Sequence, residues 1–306
     1  MIRLTRAASM SKPDRAPPSL QLALCLGAVY VIWSSTYLVM RYAIEALPPL
    51  LMAALRYGVA GTVMLAWGRL RLGAWPAARE WIAVLPVGVL LFVGGNGFVA
   101  IAEGTVSSGG AAVVCATMPL WVGVLGIVAG EPPTRREWLV LALGFGGVLV
   151  LMGGPSLQGR PLHIAILLAA PVCWALGSIL ARKLTGPSAR DAVMLSGMEM
   201  LAGAAGLLVG GLVRGEHFPP SAPMRAWLAL AYLCVAGSLV AFPAYAWLLR
   251  NARAVVATSY AYVNPTLAVL LGAAVAHERL GLTTLVANLL IVAAVVLALR
   301  RPRGAA

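Results

Sequence analysis

Ten apolar stretches, each near bilayer length, fill this chain almost from end to end. A helix needs roughly 20 apolar residues to cross the hydrocarbon core of a bilayer. Hydrophobic residues make up 61% of the sequence and charged residues 11%, so a soluble fold would have too little polar surface to face water. In lipid, every backbone N–H and C=O must be satisfied within the spanning element, which restricts the spans to helices when the apolar runs are this long. The predicted class is an all-α membrane protein with ten transmembrane helices. They cover about 20–42, 48–68, 80–102, 107–129, 137–153, 162–181, 191–213, 225–249, 255–276 and 282–299. Breaks between them carry Pro, Gly and charge, as in Gly130-Glu131-Pro132-Pro133 and His217-Phe218-Pro219-Pro220.

The net charge of +13 would suggest nucleic acid in a soluble protein. Here the basic residues flank hydrophobic segments, and membrane lipids are the expected partner instead. With both termini on the cytoplasmic side, seventeen Lys and Arg fall inside and five outside, and Arg56 lies within the second span. That asymmetry sets the expected orientation and supports the span count. Residues 1–19 and 301–306 are read as cytoplasmic tails. The first apolar run is too long for a cleaved signal and is expected to stay as an anchor. Cys25, Cys115, Cys173 and Cys234 all fall in apolar segments without metal-ligand spacing and are read as packing residues.

The sequence also repeats. A shift of 146 lays Trp81 on Trp227, Pro119 on Pro265 and Leu125-Gly126 on Leu271-Gly272. A shift of 141 lays Trp33 on Trp174, and one of 143 lays Arg56 on Glu199. The two units, 20–153 and 162–300, hold five helices each. Five is odd, so the second unit enters the membrane inverted. Inverted repeats provide two near-equivalent conformations around a site at mid-depth.

Polar and ring-bearing residues concentrate in a subset of spans, whereas the fifth and tenth are plain aliphatic helices. Trp33-Ser34-Ser35-Thr36-Tyr37 and Cys173-Trp174-Ala175-Leu176-Gly177-Ser178 occupy matching places at mid-span. Their tryptophans are either the walls of a ligand cavity or helix-packing residues. Tyr260, Tyr262 and Asn264 precede Pro265, and Thr117-Met118 precede Pro119. A proline removes a backbone donor and frees carbonyls, which in lipid need a partner or a wet cavity. Asn96 stands among glycines in the third span. The candidate substrate-binding set is therefore Trp33, Tyr37, Asn96, Trp174, Ser178, Tyr260, Tyr262 and Asn264, with hinges at Pro119 and Pro265. Arg56 and Glu199 are charges at depth. They form a gating or charge pair, or Glu199 carries a proton, or both snorkel to the interfaces. No catalytic arrangement, metal-ligand cluster or phosphate loop is evident, so no enzyme activity, metal or cofactor is expected.

Several motifs, in order, resemble the EamA family of the drug/metabolite transporter superfamily. They are Trp33-Ser34-Ser35-Thr36-Tyr37 with Arg41-Tyr42, Ala54-Leu55-Arg56-Tyr57, Ser108 to Val114 with Ala116-Thr117-Met118-Pro119-Leu120, Met198 to Ala202, and Ala257 to Pro265. The last two look similar to the YedA-like branch. Ser34 departs from the family's usual glycine after the tryptophan. The resemblance implies two inverted five-helix repeats and a cavity lined by helices one to four and six to nine. It also implies export of small metabolites, such as amino acids or related compounds, or of drugs, across the bacterial inner membrane. The expected partners are a small-molecule substrate and membrane lipids, with the chain a monomer or homodimer. A membrane-embedded enzyme and a structural or signalling subunit are the alternatives from other classes.

Overall fold

The computed structural model describes residues 19–106, 108–151, 153, 159–184, 192–267 and 282–300. Among these residues the chain is helical throughout, with no strand. The helices are α1 (Ser19–Ile44), α2 (Pro49–Leu72), α3 (Ala78–Ala102), α4 (Ser108–Cys115 and Met118–Val128), α5 (Arg135–Leu151), α6 (Pro161–Leu184), α7 (Ala192–Val213), α8 (Met224–Asn251), α9 (Ala254–Ala257, resuming over 260–267) and α10 (Leu282–Leu299). Eight of them are long and apolar enough to cross a membrane. α5 has 17 residues, and the rest of the ninth span lies outside the described residues. Large apolar side chains such as Leu24, Ile82, Leu228 and Leu289 are exposed on the outer faces, as hydrocarbon solvent requires.

Local chemistry sets the helix ends. Pro49 opens α2 at a position where its missing N–H costs nothing. The free N–H groups of Leu50 and Leu51 donate to one Glu216 carboxylate oxygen at 2.9 and 3.0 Å, placing an anion at the positive end of the helix. Gly73 closes α2 at φ 71°, a left-handed conformation that favours glycine. Thr134 and Glu137 cap the start of α5 reciprocally.

Two helices change pitch midway. α3 is π-helical over Val89–Gly97 and α8 over Leu233–Val240, at corresponding places in the two sequence units. In α8, Pro243 cannot donate to the carbonyl of Leu239, and the wide turns end there. In each π stretch a side chain covers a carbonyl five residues back. Asn96 Nδ2 donates to Leu91 O at 3.3 Å, and Ser238 Oγ donates to Leu233 O at 3.2 Å. α4 and α9 are instead interrupted. Thr117 Oγ1 bonds Val114 O, while Thr258 and Ser259 bond Ala254 O and Val256 O, taking up carbonyls at each break.

α2 and α7 form the most extensive packing in the bundle. Gly61 faces the backbone of Gly197, where an added Cβ would stand 2.9 Å from its carbonyl oxygen, so two backbones approach as closely as small residues allow. α1 packs along α8, and α3 along α6. α5 and α10 pack chiefly on each other, and α9 joins them to the bundle.

Contacts between helix ends fix the directions. Glu45, just past α1, pairs with Arg225 at the start of α8. Glu216, just past α7, caps the start of α2, and Thr105, just past α3, bonds His163 at the start of α6. Arg253, just past α8, bonds Ala298 O at the end of α10 and Glu137 at the start of α5. The start of α1 and the end of α10 therefore lie at one end of the bundle. Arg69, Arg71, Arg135, Arg182, Lys183, Arg250 and Arg253 also gather at that basic end. Arg41, Arg160, Arg214 and Arg225 mark the other end among the described residues.

Candidate functional site

A cavity of about 100 Å³ opens inside the bundle, walled by α1, α2, α3, α4, α6, α8 and α9. That is space for several waters at roughly 10–15 Å³ each, or for part of an organic solute. Trp33 lies in its wall. Its indole packs edge-on to Trp174 at 5.8 Å and to Tyr260 at 4.7 Å, and lies tilted against Tyr245 at 5.1 Å. Trp33 Nε1 donates to the Gly237 carbonyl at 3.1 Å, in the π stretch of α8. Each ring contact adds about 0.5–1.5 kcal/mol beyond area burial, so this cluster is a rigid wall.

Six of the eight expected substrate-binding residues line this cavity: Trp33, Tyr37, Asn96, Trp174, Tyr260 and Asn264. Asn264 Oδ1 accepts a hydrogen bond from Ser34 Oγ at 3.1 Å, which ties α9 to α1. The other two lie elsewhere. Ser178 is buried one turn beyond Trp174 and shares a 2.7 Å hydrogen bond with the Tyr245 hydroxyl. It acts on the wall from behind. Tyr262 faces α5, where its hydroxyl donates to Leu141 O at 3.3 Å and its ring covers Gly144. An added Cβ on Gly144 would sit 2.4 Å from that ring, so only glycine admits it. The reason is geometric: residues two apart on a helix point in nearly opposite directions, so Tyr260 and Tyr262 cannot share a cavity.

Pro119 and Pro265 do not line the cavity, although the residues before them, Met118 and Asn264, do. Pro119 sits in the first turn of the second piece of α4, and Pro265 lies inside the 260–267 stretch of α9.

The structure does not bring Arg56 and Glu199 together. Arg56, 5% exposed, lines the aromatic cavity. Its Nε donates to Ser238 Oγ at 2.9 Å, and its guanidinium lies over the Tyr57 ring at 4.7 Å. Glu199, also 5% exposed, lines a separate cavity of about 20 Å³ together with Arg182, Ser196 and Arg250. Helix register explains the separation. Leu51 packs against Gly211 and Gly68 against Met194, which puts Arg56 level with a point about seven residues beyond Glu199 on α7, roughly 10 Å along the axis.

Sequence reasoning missed Tyr245, Tyr57, Phe242 and Ser238. Tyr245 is fully buried and touches Trp33, Trp174, Tyr260 and Ser178. Tyr245 stands six residues before the end of α8, where an interfacial tyrosine is usual, so its position in the sequence carried no signal. Glu103, one turn beyond the cavity-lining Val99, has both carboxylate oxygens buried without a hydrogen-bond partner. Among the described residues, no group of three or more His, Cys, Asp or Glu is placed to hold a metal ion.

The chain matches the model of the EamA-like transporter family twice, over residues 21–153 and 162–300. It is 39% identical over 273 residues to an uncharacterized inner membrane transporter, YedA, of Escherichia coli K12, covering 89% of this chain and 88% of that one. It is 32% identical over 174 residues to a probable amino-acid metabolite efflux pump of Salmonella typhimurium LT2, covering 54% and 55% of the two chains. A solved structure described only as that of a protein aligns with TM-score 0.73 at 20% identity, over 92% of this chain and 97% of the other, and so shares its fold.

Proposed function

The chain belongs to the EamA-like transporter family, and from that premise we propose that it exports small organic metabolites from the cytoplasm across the bacterial inner membrane by alternating access. The observation that carries this reading is the aromatic cavity. Trp33 and Trp174, which the internal repeat relates, meet in its wall, and both sequence units contribute side chains to it. A site shared by two units is where a relative motion of those units acts on a bound solute.

In this reading the membrane is crossed ten times by two inverted five-helix repeats, with both termini cytoplasmic. The paired packing of α1 with α8 and α3 with α6, the matching π stretches and the common end of α1 and α10 all support it. The basic character of that end supports its cytoplasmic placement. Trp33, Tyr37, Asn96, Trp174, Tyr260 and Asn264 contact the solute, and Ser178 holds the wall. The break in α4 next to Pro119 and the stretch of α9 that holds Pro265 serve as hinges. Amino acids or their relatives fit the cavity's mix of rings, amides and one guanidinium, and the Salmonella relative's name points the same way.

The test is transport by the purified protein in lipid vesicles, screened against amino acids and cationic dyes with and without a proton gradient. Saturable flux of at least one solute, lost in Trp33→Ala, is expected. Flux no greater than in protein-free vesicles for the whole panel would overturn the reading.

A further inference from the structure

Arg56 is held differently from the four arginines that form ion pairs at helix ends. Arg182, Arg214, Arg225 and Arg253 each meet a glutamate at 3.1–3.6 Å. Arg56 is more buried than any of these, yet among the described residues no carboxylate lies within ion-pair distance of it. A buried cation at this depth is costly unless an anion or a wet cavity compensates it. Glu199, which the repeat places as its counterpart, lines a separate cavity toward the opposite end of the bundle.

The guanidinium is positioned all the same. Ser238 accepts from Nε, the Tyr57 ring covers one face, and Gly237 leaves room where a side chain would stand 2.6 Å from Nη2. These contacts fix the plane of the group and consume one of its five donors. Two parallel N–H bonds to a planar oxyanion are what a guanidinium in a fixed plane is suited to make. Trp33, Trp174, Tyr57 and Phe242 form apolar and aromatic walls around the same space.

We infer that Arg56 is the anchor for a carboxylate on the transported solute, so that this cavity takes organic monocarboxylates with an apolar or aromatic body, amino acids among them. This rests on the reading of the cavity as the substrate site. One guanidinium and no second cation in the lining match a single negative charge rather than a phosphate. The anion completes the charge that the protein leaves open.

Three probes of similar shape test it on the full chain in detergent: 3-phenylpropionate, L-phenylalanine and phenethylamine. Binding is read by thermal stabilisation and by tryptophan fluorescence, since Trp33 and Trp174 form the wall. Both carboxylates are expected to stabilise the protein at millimolar concentration and phenethylamine is not. Arg56→Gln is expected to weaken 3-phenylpropionate binding by about tenfold or more, as loss of one partner of a buried charged contact does. Arg56→Lys should lose less, because charge remains but the fork does not. Should Arg56→Gln fail to fold, Ser238→Ala keeps the charge while releasing Nε, and a weakening of about threefold for the carboxylates alone is expected. Phenethylamine binding as well as or better than 3-phenylpropionate would overturn the anchor and leave the cavity reading standing. Silence to both carboxylates up to 10-fold millimolar excess would overturn the anchor as well, and the vesicle screen then decides the cavity reading separately.

Discussion

Arg56 and Glu199 are each the eighth residue of their helix, in α2 and α7, the two helices that pack most closely in the bundle. Equivalent places have been given opposite charges and opposite surroundings. At one end, Arg56 faces an aromatic cavity of about 100 Å³ without a carboxylate partner. At the other, Glu199 shares about 20 Å³ with two arginines, one of which also reaches Glu131 at 3.4 Å. The first arrangement leaves a cation without a facing carboxylate, and the second sets an anion among cations in a smaller space. The lesson is that a repeated helix position fixes where a charged side chain starts, while its neighbours decide whether it faces an aromatic space or other charges.

Charge reversal tests the difference most severely. Glu199→Arg would put a third cation beside Arg182 and Arg250, and like charges forced together cost several kcal/mol. We expect a loss of about 4 kcal/mol, read as a lowered thermal midpoint in detergent. Arg56→Glu meets no facing carboxylate and sits on a cavity large enough for water, so about 1–2 kcal/mol is expected. Equal losses for the two reversals would remove the distinction between a charge facing open space and one set among other charges.

Phe242 lines both cavities and is 3% exposed, so its ring is the partition between them. Phe242→Ala should cost about 3 kcal/mol through lost burial and a residual void. It should also let a polar thiol reagent, applied from the Arg56 side, reach a cysteine placed at Ala246 in the Glu199 cavity. An unreactive Ala246→Cys in that background would mean the two spaces are divided by more than one ring.

Much of this was legible in the sequence, and the failures have physical causes. Apolar length located the helices because lipid admits little else, and the repeat paired Trp33 with Trp174 before any geometry was known. Asn96 and Asn264 stood out because an amide in hydrocarbon needs a reason. The pairing of Arg56 with Glu199 went wrong because a sequence shift reports equivalent positions, and equivalent positions on antiparallel helices meet only at mid-length. Tyr262 was assigned to the cavity through its neighbour Tyr260, against the rotation of the helix. Tyr245 and Ser238 were passed over because their roles depend on the π turns of α8, and no composition signal separates those turns from ordinary helix.

Those π turns give the smallest effect and the finest test. Ser238 is fully buried, accepts from Arg56 and donates to the Leu233 carbonyl. Asn96 covers the corresponding Leu91 carbonyl in α3, but more weakly at 3.3 Å and on the cavity wall. Ser238→Ala leaves a buried donor and a buried carbonyl short of partners, so about 1–2 kcal/mol is expected. Asn96→Ala exposes its carbonyl to a space where water can replace the amide, so about 0.5 kcal/mol is expected. Thermal midpoints of the two variants, measured side by side, decide it. A larger loss at Asn96 would mean that the α3 turn, rather than the one holding Arg56, is the more tightly built half of the site.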